Sequence, residues 1–583
     1  MTFDSPFTAV IQDGDRWLHF SDPVHVVTAA TASEVRPALR RVVQAVEEEG
    51  LHAAGFIAYE AAPGFDPALA VRGPAPLPLL WFGLYRAPAV WERLPAGGPY
   101  RFGDWRPSQQ LGDYRQTIAQ IKAAIARGDT YQVNYTLALH AAWQGDPWGL
   151  FVDLASSQRG GYAAYLDLAT HAICSASPEL FVEIDGERVR AKPMKGTAPR
   201  GRTLAEDRQQ IVALRASAKD QAENVMIVDM IRNDLGHVAR FGSVQTPVLL
   251  EVERYPTLLQ MTSTVEARSA APLDDILAAL FPCASITGAP KVRTMQLIAG
   301  LEGGPRGVYT GAIGFLAPGR RARFNVAIRT VVVDRPAGRA SYGVGSGIVW
   351  DSDADAEYAE CQLKAQVLTR RFPDFELLET MRWTADGGVA RLERHLTRLA
   401  GSAEYFGFAV DLPALRSRLM ALDPVETPDP ARVRVLVSRR GEVRLETHPL
   451  ELFAAPQPVR LGLARAAVDA DDVFLFHKTS QRTVYEQARA GRPDCDDVLL
   501  WNQRGQLTEA TTANVVLALD GRLVTPSVSC GLLAGVLRAE LLESGAVEAQ
   551  ALTLDDLARC QGLYLVNSLR GWRRAQLAPA SDG

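Results

Sequence analysis

A lysine between turn-forming residues is the first position in this chain with a clear chemical use. Lys195 stands in the run Lys192-Pro193-Met194-Lys195-Gly196-Thr197. The proline before it and the glycine after it favour a fixed turn over a solvated helix face. A lysine held in a partly dry pocket can lose its proton near neutral pH and act as an amine nucleophile. An exposed loop lysine is the alternative, which only the surrounding residues can exclude.

Carboxylates further along the chain could share a site with this amine. Glu223 lies on a helix predicted from an apolar stripe, and Glu357, Glu360 and Lys364 follow on a second predicted helix. Their spacing of i, i+3 and i+7 places all three on one helical face. Surface salt bridges are the alternative for such a face. Carboxylates from two helices would suit Mg²⁺, which prefers one or two of them together with waters and substrate oxygens.

Two short segments could bind an anionic group. The run Gly343–Gly347 is not a dinucleotide loop, because the strand-like Ile348–Trp350 follows it instead of a helix. Its closely spaced glycines would let backbone N–H groups approach an anion. Ser285–Lys291 leads into a predicted helix, whose N-terminus could bind a carboxylate. These residues predict a Mg²⁺-dependent site for a small polyanion beside an amine nucleophile.

A second lysine, Lys478, follows a short apolar run near the carboxyl-terminal third of the chain. Leu507–Val515 contains Glu509 followed by hydroxyls, Cys530–Arg538 is a glycine turn that opens a helix, and Arg391–Leu396 carries arginines on an amphipathic helix. Pyridoxal phosphate needs a lysine for the Schiff base, an acid beside the pyridine nitrogen, and cationic or N–H donors for the phosphate. All three are present, which favours a cofactor site over a solvated lysine.

Size and composition limit the class of protein. At 583 residues the chain exceeds what one core usually supports, which predicts two or three units. A net charge of -5 gives no reason to expect nucleic acid or an anionic membrane as a partner. The six cysteines are scattered without a CxxC pair, which favours reduced thiols. The first residues, with acids at Asp4, Asp13 and Asp15, lack the pattern of a signal peptide, and no run of 18 apolar residues occurs. We expect a soluble cytoplasmic protein.

Two changes in composition divide the chain. Residues 87–107 are rich in proline, glycine and alanine, and either separate an amino-terminal part (1–107) from a catalytic core (108–371) or form a loop. At Arg370-Arg371-Phe372-Pro373-Asp374 a predicted helix ends in basic residues before a proline. We therefore place the boundary between a first domain, 1–371, and a second domain, 372–583.

Hydrophobic periodicity predicts the elements that position these residues. Helical spacing from Tyr114 to Ile125 with a stop at Gly128 predicts a helix, and alternation over Tyr131–Leu139 predicts a strand. The further predicted strands are 172–174, 180–184, 309–315, 323–333, 348–350 and 375–381, and the further predicted helices are 204–235 (broken once), 290–301 and 354–370.

Residues 113–370 resemble the chorismate-utilising enzymes, the family of anthranilate synthase, isochorismate and salicylate synthases, and aminodeoxychorismate synthase component I. The runs that carry the resemblance are Tyr131-Gln132-Val133-Asn134, Ser177-Pro178-Glu179, Lys195-Gly196-Thr197, Glu223 to Asp229, Arg232 to Gly236, Ser285–Lys291, Ala327-Ile328-Arg329-Thr330 and Glu357–Lys364. Lysine at position 195 is the mark of aminodeoxychorismate synthase, since anthranilate synthases usually have alanine there. Gln132 stands where isochorismate-type enzymes carry a water-activating lysine, so water is a less suitable nucleophile.

The resemblance implies a role for each matched residue. Lys195 would attack C2 of chorismate as the C4 hydroxyl leaves, ammonia would enter at C4 and expel the lysine, and Glu179 would be the general acid/base. Glu223, Glu360 and Glu357 would hold Mg²⁺. The residues implied to bind the substrate are Thr287, Gly288, Tyr309, Arg329, Gly345, Ser346, Gly347 and Lys364.

Three departures from the family pattern bear on partners and regulation. Gln260 replaces a histidine that many members have close to the ring, so that contact must differ. No clear tryptophan-pocket motif occurs in the amino-terminal region, which leaves feedback by tryptophan doubtful. No cysteine nucleophile with accompanying histidine and glutamate marks a glutaminase domain, so ammonia would come from solution or from a separate glutaminase subunit.

Residues 375–574 resemble the fold-type IV pyridoxal-phosphate enzymes, which include branched-chain and D-amino-acid aminotransferases and aminodeoxychorismate lyase. Lys478 matches the Schiff-base lysine and Glu509 the partner of the pyridine nitrogen. The residues that match phosphate-contacting positions are Arg394, Thr512, Ala513 and Ser568. Free-standing members have about two dozen more residues before the first matched strand, so this domain is shortened or is completed by the first domain.

Together the two resemblances predict an α+β protein, with mainly antiparallel sheets and flanking helices in the first domain and a fold-type IV domain after it. They predict a bifunctional enzyme that makes 4-aminobenzoate, the folate precursor, through aminodeoxychorismate synthase and lyase activities. One alternative is an aminodeoxychorismate or anthranilate synthase fused to an aminotransferase. Another makes the second domain a non-catalytic docking module for the glutaminase. A homodimer is expected only by analogy with fold-type IV enzymes.

Overall fold

The computed structural model describes residues 7–74, 77–158, 160–369, 372–451 and 457–579. Asp4 and the Arg370-Arg371 pair of the expected domain boundary lie outside the described residues. The chain divides into two compact units, one of Met1–Pro199 with Ile211–Phe372 and the other of Arg200–Gln210 with Pro373–Gly583. The sequence did not indicate that Arg200–Gln210 groups with the second unit.

Over its described residues the first unit contains 21 strands, seven complete helices and the end of an eighth, Leu204–Ala216, whose first residues belong to Arg200–Gln210. The helices are α1 (Ala32–Glu48), α2 (Leu111–Ala126), α3 (Pro147–Gln158), α4 (Leu204–Ala216), α5 (Ala218–Gly236), α6 (Leu273–Leu280), α7 (Lys291–Leu301) and α8 (Ala354–Ala365). The strands are β1 (Ala9–Asp13), β2 (Arg16–Phe20), β3 (His25–Ala29), β4 (His52–Ile57), β5 (Leu80–Tyr85), β6 (Ala89–Trp91), β7 (Tyr100–Phe102), β8 (Arg106–Pro107), β9 (Gln132–Gly145), β10 (Ala164–Asp167), β11 (His171–Ser175), β12 (Leu180–Asp185), β13 (Arg188–Lys192), β14 (Met194–Pro199), β15 (Gln245–Arg254), β16 (Leu258–Arg268), β17 (Gly288–Ala289), β18 (Ala312–Ala317), β19 (Arg321–Val326), β20 (Thr330–Asp334) and β21 (Arg339–Ile348).

These strands form two antiparallel sheets. One runs β17-β9-β21-β20-β11-β10-β1-β2-β6, with β7 and β8 also paired to β9. The other runs β14-β16-β13-β12-β19-β18-β4-β5-β3, with β15 also paired to β16. The strands that will matter most are β21 beside β9 in the first sheet and β14 beside β16 in the second.

Each sheet buries one face against helices. Residues of α1, α5 and α6 pack on the second sheet in a core that includes Val35, Ile227 and Ile276. Residues of α2, α3 and α8 pack on the first sheet, with Tyr114 of α2 fully buried among them. Because the apolar stripe of each helix faces a sheet, its polar residues are held at fixed places beyond the core.

The long helical region 204–235 is broken once, as the sequence predicts. The break is at Ser217, whose side chain accepts a hydrogen bond from the Asp220 N–H and caps α5. This cap fixes the start of the helix that carries Glu223.

Three predicted strands are wrong in their bounds. The predicted strand 348–350 is only the end of β21, which stops at Ile348. The predicted strand 323–333 is two strands of different sheets, β19 and β20, because the chain turns over 327–329 and Arg329 adopts a left-handed φ of 49°. The predicted strand 309–315 begins only at Ala312, since Thr310 also has a positive φ of 61°. Both residues at the turns, Tyr309 and Arg329, thereby leave the sheets and face the cavity described below.

The second unit contains a four-stranded and an eight-stranded sheet with five helices over its described residues. The helices are α9 (Leu392–Phe406), α10 (Leu412–Met420), α11 (Thr483–Ala490), α12 (Val536–Glu543) and α13 (Leu554–Arg559). The strands are β22 (Leu377–Thr384), β23 (Gly388–Val389), β24 (Ala431–Val437), β25 (Val443–Pro449), β26 (Val459–Leu463), β27 (Asp497–Trp501), β28 (Leu507–Ala510), β29 (Asn514–Leu519), β30 (Arg522–Pro526), β31 (Glu548–Gln550), β32 (Gly562–Asn567) and β33 (Gly571–Leu577). The small sheet runs β23-β22-β24-β25 and the large one β28-β27-β26-β33-β32-β29-β30-β31.

The predicted α+β class is confirmed by this arrangement. Antiparallel pairing dominates, with parallel pairs only at β26–β27, β26–β33 and β30–β31 among the described strands. Within the same residues, no helix combines the length and the apolar composition that a membrane span requires.

Candidate active sites

The first unit contains a cavity of about 370 Å³ at the ends of several elements. Most of the predicted site residues of this unit line it: Glu179, Lys195, Glu223, Tyr309, Arg329, Gly345, Gly347, Glu357, Glu360 and Lys364. Strands, turns and two helices that are far apart in sequence therefore bring the predicted nucleophile, acid, carboxylates and cations together.

Lys195 enters this cavity through an irregularity in its strand. The pairing of β14 with β16 shifts between Met194 and Thr197, so Lys195 and Gly196 form a bulge. Gly196 has a φ of 92°, a conformation that favours glycine. Burial lowers the pKa of Lys195, and the neighbouring Lys364 acts in the same direction. A larger fraction of the amine is therefore neutral than in a solvated lysine.

Gln260 helps to hold this bulge. Its Nε2 donates to the Gly196 carbonyl at 2.8 Å, and its Oε1 accepts from the Thr197 hydroxyl at 3.1 Å. Gln260, at the position where the resemblance leads us to expect a histidine, thus fixes the backbone next to Lys195. This contact gives the unusual residue a structural role.

The glycines of β21 make room for the side chains opposite. A Cβ placed on Gly347 would lie 2.7 Å from Lys195 Nζ and closer still to Gln132 Nε2. A Cβ on Gly343 would overlap the ring of Tyr309. Residues 343–347 continue the pairing of β21 with β9. The predicted anion-binding loop is thus part of a regular strand.

Glu179 is buried and positioned for proton transfer. Only 3% of the residue is exposed, and its Oε1 accepts a hydrogen bond of 2.7 Å from the Ser285 hydroxyl. Burial raises the pKa of Glu179 to about 7, although this hydrogen bond and the Lys195 charge oppose the shift. Such a carboxyl can hold or release a proton near neutral pH. Ser285 was predicted only as part of a helix-terminal motif.

Three carboxylates lie on the side of the cavity formed by α5 and α8. Lys364 pairs with Glu360 at 2.7 Å, and Glu357 accepts from the Ser352 hydroxyl at 2.7 Å. Burial raises the pKa of Glu223; for Glu360, burial is outweighed by Lys364, which lowers its pKa.

This donor set has the chemistry that Mg²⁺ requires. Within the described part of the chain, no group of three or more acidic, histidine or cysteine side chains is already gathered as a metal site. Mg²⁺ does not need such a group, because it is usually held by one or two carboxylates with waters and substrate oxygens. Glu223 and Glu360, from two helices and beside one cavity, fit that requirement, with Glu357 next to them.

Two cations of the cavity are oriented by fixed partners. Arg329 donates to the Gln158 side chain at 2.8 Å, and Lys364 Nζ donates to the Gly345 carbonyl at 2.8 Å. Arg329 lies at the left-handed turn between β19 and β20 and lines the cavity. Both cations can therefore face an anionic ligand without searching many rotamers.

Three residues predicted to bind the substrate do not line the cavity. The Thr287 hydroxyl donates to the carbonyls of Cys283 and Ala284, and a Cβ on Gly288 would meet the backbone of β9. Ser346 points to the opposite face of β21, where its hydroxyl lies 3.2 Å from the hydroxyl of Tyr114. Because alternate residues of a strand face opposite sides, Gly345 and Gly347 reach the cavity and Ser346 does not.

The second unit has its own cavity, of about 300 Å³. The predicted residues that line it are Lys478, Glu509, Thr512, Ala513 and Ser568. Arg398, Arg482 and Asn514, which were not predicted as site residues, line it as well.

Lys478 and Glu509 have the properties of a cofactor lysine and its acid. Burial lowers the pKa of Lys478 to about 8, with help from the charges of Arg398 and Arg482. Glu509 accepts from the Tyr485 hydroxyl at 2.8 Å, and burial raises its pKa to about 7. An amine that loses its proton near pH 8 and a buried carboxyl in one cavity fit pyridoxal phosphate.

The turn 511–513 and the residue Ser568 offer donors for a phosphate. Asp497 holds this turn by accepting from the Thr511 N–H at 3.0 Å and from the hydroxyls of Thr511 and Thr512. Thr512, Ala513 and Ser568 face the cavity from two loops that the large sheet supports. Because the Thr512 hydroxyl donates to Asp497, the donor that Thr512 offers a phosphate is its backbone N–H.

Arg394, which was predicted to contact the phosphate, does not line this cavity. Arg394 lies in the first turn of α9, is 39% exposed and pairs with Glu543 of α12. Arg398, about 6 Å further along the helix axis, lines the cavity instead. Its guanidinium binds both oxygens of Glu379 at 2.8 and 2.7 Å, and the buried His395 contacts the same carboxylate at 2.7 Å.

Two family models match the chain. The model described as chorismate binding enzyme matches residues 7–370, and the model described as amino-transferase class IV matches residues 376–577. The resemblance predicted for each half of the chain is thereby confirmed.

Individual proteins are similar to parts of this chain. The chain is 40% identical over 272 residues to aminodeoxychorismate synthase component 1 of Salmonella typhimurium, which is 46% of this chain and 60% of that protein. It is 44% identical over 261 residues to aminodeoxychorismate synthase of Streptomyces griseus, 44% of this chain and 36% of that protein. These matches thus span from about a third to three fifths of the relatives' length. Anthranilate synthase component I of Streptococcus pneumoniae shares the fold, with a TM-score of 0.54 and 23% identity over 64% of this chain and 93% of that one.

Proposed function

Because this chain belongs to the chorismate-binding enzyme family and continues into an amino-transferase class IV domain, we propose that it makes 4-aminobenzoate from chorismate in two steps. The first step is amination of chorismate to 4-amino-4-deoxychorismate, and the second is loss of pyruvate from that product. The observation that carries the proposal is the placement of Lys195, with its lowered pKa, in one cavity with the buried acid Glu179.

In the first step Lys195 is the nucleophile. Its neutral amine forms a bond to C2 of chorismate while the bond from C4 to its hydroxyl breaks, and Glu179 donates the proton with which that hydroxyl leaves as water. Ammonia then bonds to C4, and the bond from C2 to Lys195 breaks. The ammonium formed at Lys195 returns a proton to Glu179, and the proton released by the incoming ammonia balances the one that the departing amine requires.

The other residues of the first cavity bind the substrate in this proposal. Arg329 and Lys364 face its carboxylates, and Glu223 and Glu360, with Glu357, would hold Mg²⁺, which would bind a carboxylate of chorismate. Ammonia would come from solution or from a separate glutaminase subunit, as the name component 1 of the Salmonella typhimurium relative suggests.

In the second step pyridoxal phosphate, when bound, would supply an electron sink for cleavage of the enolpyruvyl ether. Lys478 would hold the cofactor and move a proton at its Nζ as the ring becomes aromatic. Glu509 would sit against the pyridine nitrogen, and Thr512, Ala513 and Ser568 would bind the phosphate. Arg398 would take the phosphate role that the sequence assigned to Arg394.

A single incubation tests both steps. The purified chain is given chorismate, ammonium, Mg²⁺ and pyridoxal phosphate, and the products are identified by mass and fluorescence. We expect 4-aminobenzoate with an equal amount of pyruvate, loss of both in Lys195→Ala, and accumulation of aminodeoxychorismate in Lys478→Ala. Anthranilate as the product, unchanged in Lys195→Ala, would contradict the first step.

Two other activities for the second unit give different results in the same assay. An aminotransferase would transfer an amino group to 2-oxoglutarate and leave aminodeoxychorismate unconsumed. A docking module without catalysis would show no cofactor absorbance that depends on Lys478. Either result would replace the lyase step and leave the proposed synthase step standing.

A further inference from the structure

A row of basic side chains crosses three strands of the small sheet in the second unit. Arg382 of β22 is directly opposite Arg432 of β24, which is in turn opposite His448 of β25. Residues directly opposite in a sheet have side chains on the same face, where like charges destabilise the pair. We call Arg382, Arg432 and His448 the basic row.

The neighbouring register position shows how the same sheet normally neutralises an arginine. Two residues further along β24, Arg434 is opposite Glu446 and donates to it at 2.9 Å. Arg382 and Arg432 have no side-chain hydrogen bond or ion pair to any of the residues that the structure describes. The Nε of Arg432 is moreover buried without a hydrogen-bond acceptor. Leaving such a donor unsatisfied is costly, which points to a ligand that supplies the acceptor.

The open space next to Arg432 is the second cavity. Arg432 and Arg434 lie on one face of β24, and both line the cavity that contains Lys478 and Glu509. The acceptor that Arg432 lacks can therefore come from a molecule bound in this cavity. Since the flanking residues are basic, that acceptor is anionic.

We propose that Arg432, supported by Arg382, is a subsite for a carboxylate of the substrate of the second unit. The phosphate of a cofactor has other donors in the same cavity, namely the turn 511–513, Ser568 and Arg398. This leaves the basic row for an anionic group of the substrate. The inference rests on the proposed function, in which the substrate of the second step carries two carboxylates.

The subsite would also favour the lyase reaction over amino transfer in the second unit. A dicarboxylate offers a second anionic group to Arg432 after the first has been bound elsewhere in the cavity. A simple amino acid has one carboxylate. Either Arg432 or the group that binds the first carboxylate of a dicarboxylate would then lack an acceptor. Arg432 is thus a specificity-determining residue that favours a dicarboxylate ring over a monocarboxylate amino acid.

The test compares Arg432→Gln, Arg432→Lys and Arg394→Gln in the full chain. Arg394→Gln is the matched control, because that arginine pairs with Glu543 on the surface and does not line the cavity. Pyridoxal phosphate affinity is measured by absorbance titration, and KM and kcat by turnover of aminodeoxychorismate. We expect Arg432→Gln to raise KM about 10- to 100-fold, which is the loss of one charged hydrogen-bond partner, with cofactor affinity unchanged. Arg432→Lys should restore part of the KM, and the control should match the wild type.

The possible results distinguish the cofactor phosphate from a substrate carboxylate as the partner of Arg432. They also distinguish failure of this subsite from failure of the proposed function. A weaker cofactor affinity with an unchanged KM would assign Arg432 to the phosphate and overturn the inference. If the cofactor affinity and the KM of Arg432→Gln are both unchanged, Arg432 has only a structural role, which also overturns the inference. If the wild type does not turn over aminodeoxychorismate, the proposed function fails, and isophthalate is used as a dicarboxylate probe of the cofactor absorbance. Weaker isophthalate binding by Arg432→Gln than by the control would then still support the subsite, and equal binding would reject it.

Discussion

Lys195 and Gly347 face each other across the first cavity so closely that a Cβ on the glycine would lie 2.7 Å from the lysine Nζ. The lysine comes from a bulge in one sheet and the glycine from a regular strand of the other. The position of the amine is therefore set from both sides, by the backbone that presents it and by the backbone that leaves space for it.

Gly347→Ala should displace the lysine amine without unfolding the unit. Gly347 does not have a positive φ, so alanine is compatible with its backbone and only the contacts with Lys195 and Gln132 become too short. We expect amination of chorismate to fall about 10- to 100-fold in kcat, since small misplacements of a reacting group have effects of this size. Steady-state kinetics with ammonium measure it.

Gly300→Ala is the control for this variant. Gly300 lies in α7, and a Cβ there would meet nothing within 4 Å. A Gly347→Ala enzyme as active as Gly300→Ala would show that the amine tolerates displacement, and would contradict the role given to Lys195.

The amination rate should depend on pH through Glu179 and Lys195 in opposite senses. The step needs Glu179 protonated, a form that is lost as the pH rises through its pKa of about 7. It needs Lys195 neutral, a form that is gained as the pH rises through the lowered pKa of the lysine. A bell-shaped profile of kcat/KM follows, and the limb that reports Glu179 lies near pH 7.

Ser285→Ala should move the limb of that profile that reports Glu179 to higher pH. The Ser285 hydroxyl donates to the Glu179 carboxylate and so stabilises its charged form, which lowers the pKa. Without the donor, Glu179 keeps its proton to a higher pH. Ser544→Ala, an exposed hydroxyl in the second unit, is the control. A limb that stays in place would mean that another group titrates there.

Much of this site could be predicted because its residues carry local signals. Lys195 is marked by its proline and glycine neighbours, and Glu357, Glu360 and Lys364 by helical spacing. The placement of Thr287 and Ser346 behind the walls could not be foreseen. It depends on which residues of β21 face the cavity and on the hydrogen bonds that the Thr287 hydroxyl donates to nearby carbonyls. Neither feature can be read from the composition of the chain.

The errors in the fold have a common cause. The run 323–333 alternates like one strand, and only the tertiary structure requires a left-handed turn at Arg329 that sends the chain into another sheet. Arg394 and Arg398 are also indistinguishable as arginines of one amphipathic helix. Which of them reaches the cavity depends on where Glu379 and Glu543 lie.

Arg398→Gln should weaken cofactor binding, whereas Arg394→Gln should not. Arg398 lines the second cavity and is held by Glu379, while Arg394 is an exposed partner of Glu543. Loss of a charged hydrogen-bond donor to a phosphate would reduce pyridoxal phosphate affinity by about 10- to 100-fold. Absorbance titration of the two variants measures this. The opposite order of effects would restore the assignment made from the sequence.

The rate at which pyridoxal phosphate is incorporated should rise with pH through about 8. Incorporation requires the neutral amine of Lys478, and this form is gained as the pH passes its pKa of about 8. The neighbouring Arg482 contributes to this low value, so Arg482→Gln should raise the pKa and shift the rise to higher pH. Arg489→Gln, in the last turn of the same α11 and away from the cavity lining, is the matched control. Stopped-flow absorbance follows the incorporation directly. A profile that Arg482→Gln and Arg489→Gln leave equally unchanged would mean that burial and Arg398, without Arg482, set the pKa of Lys478.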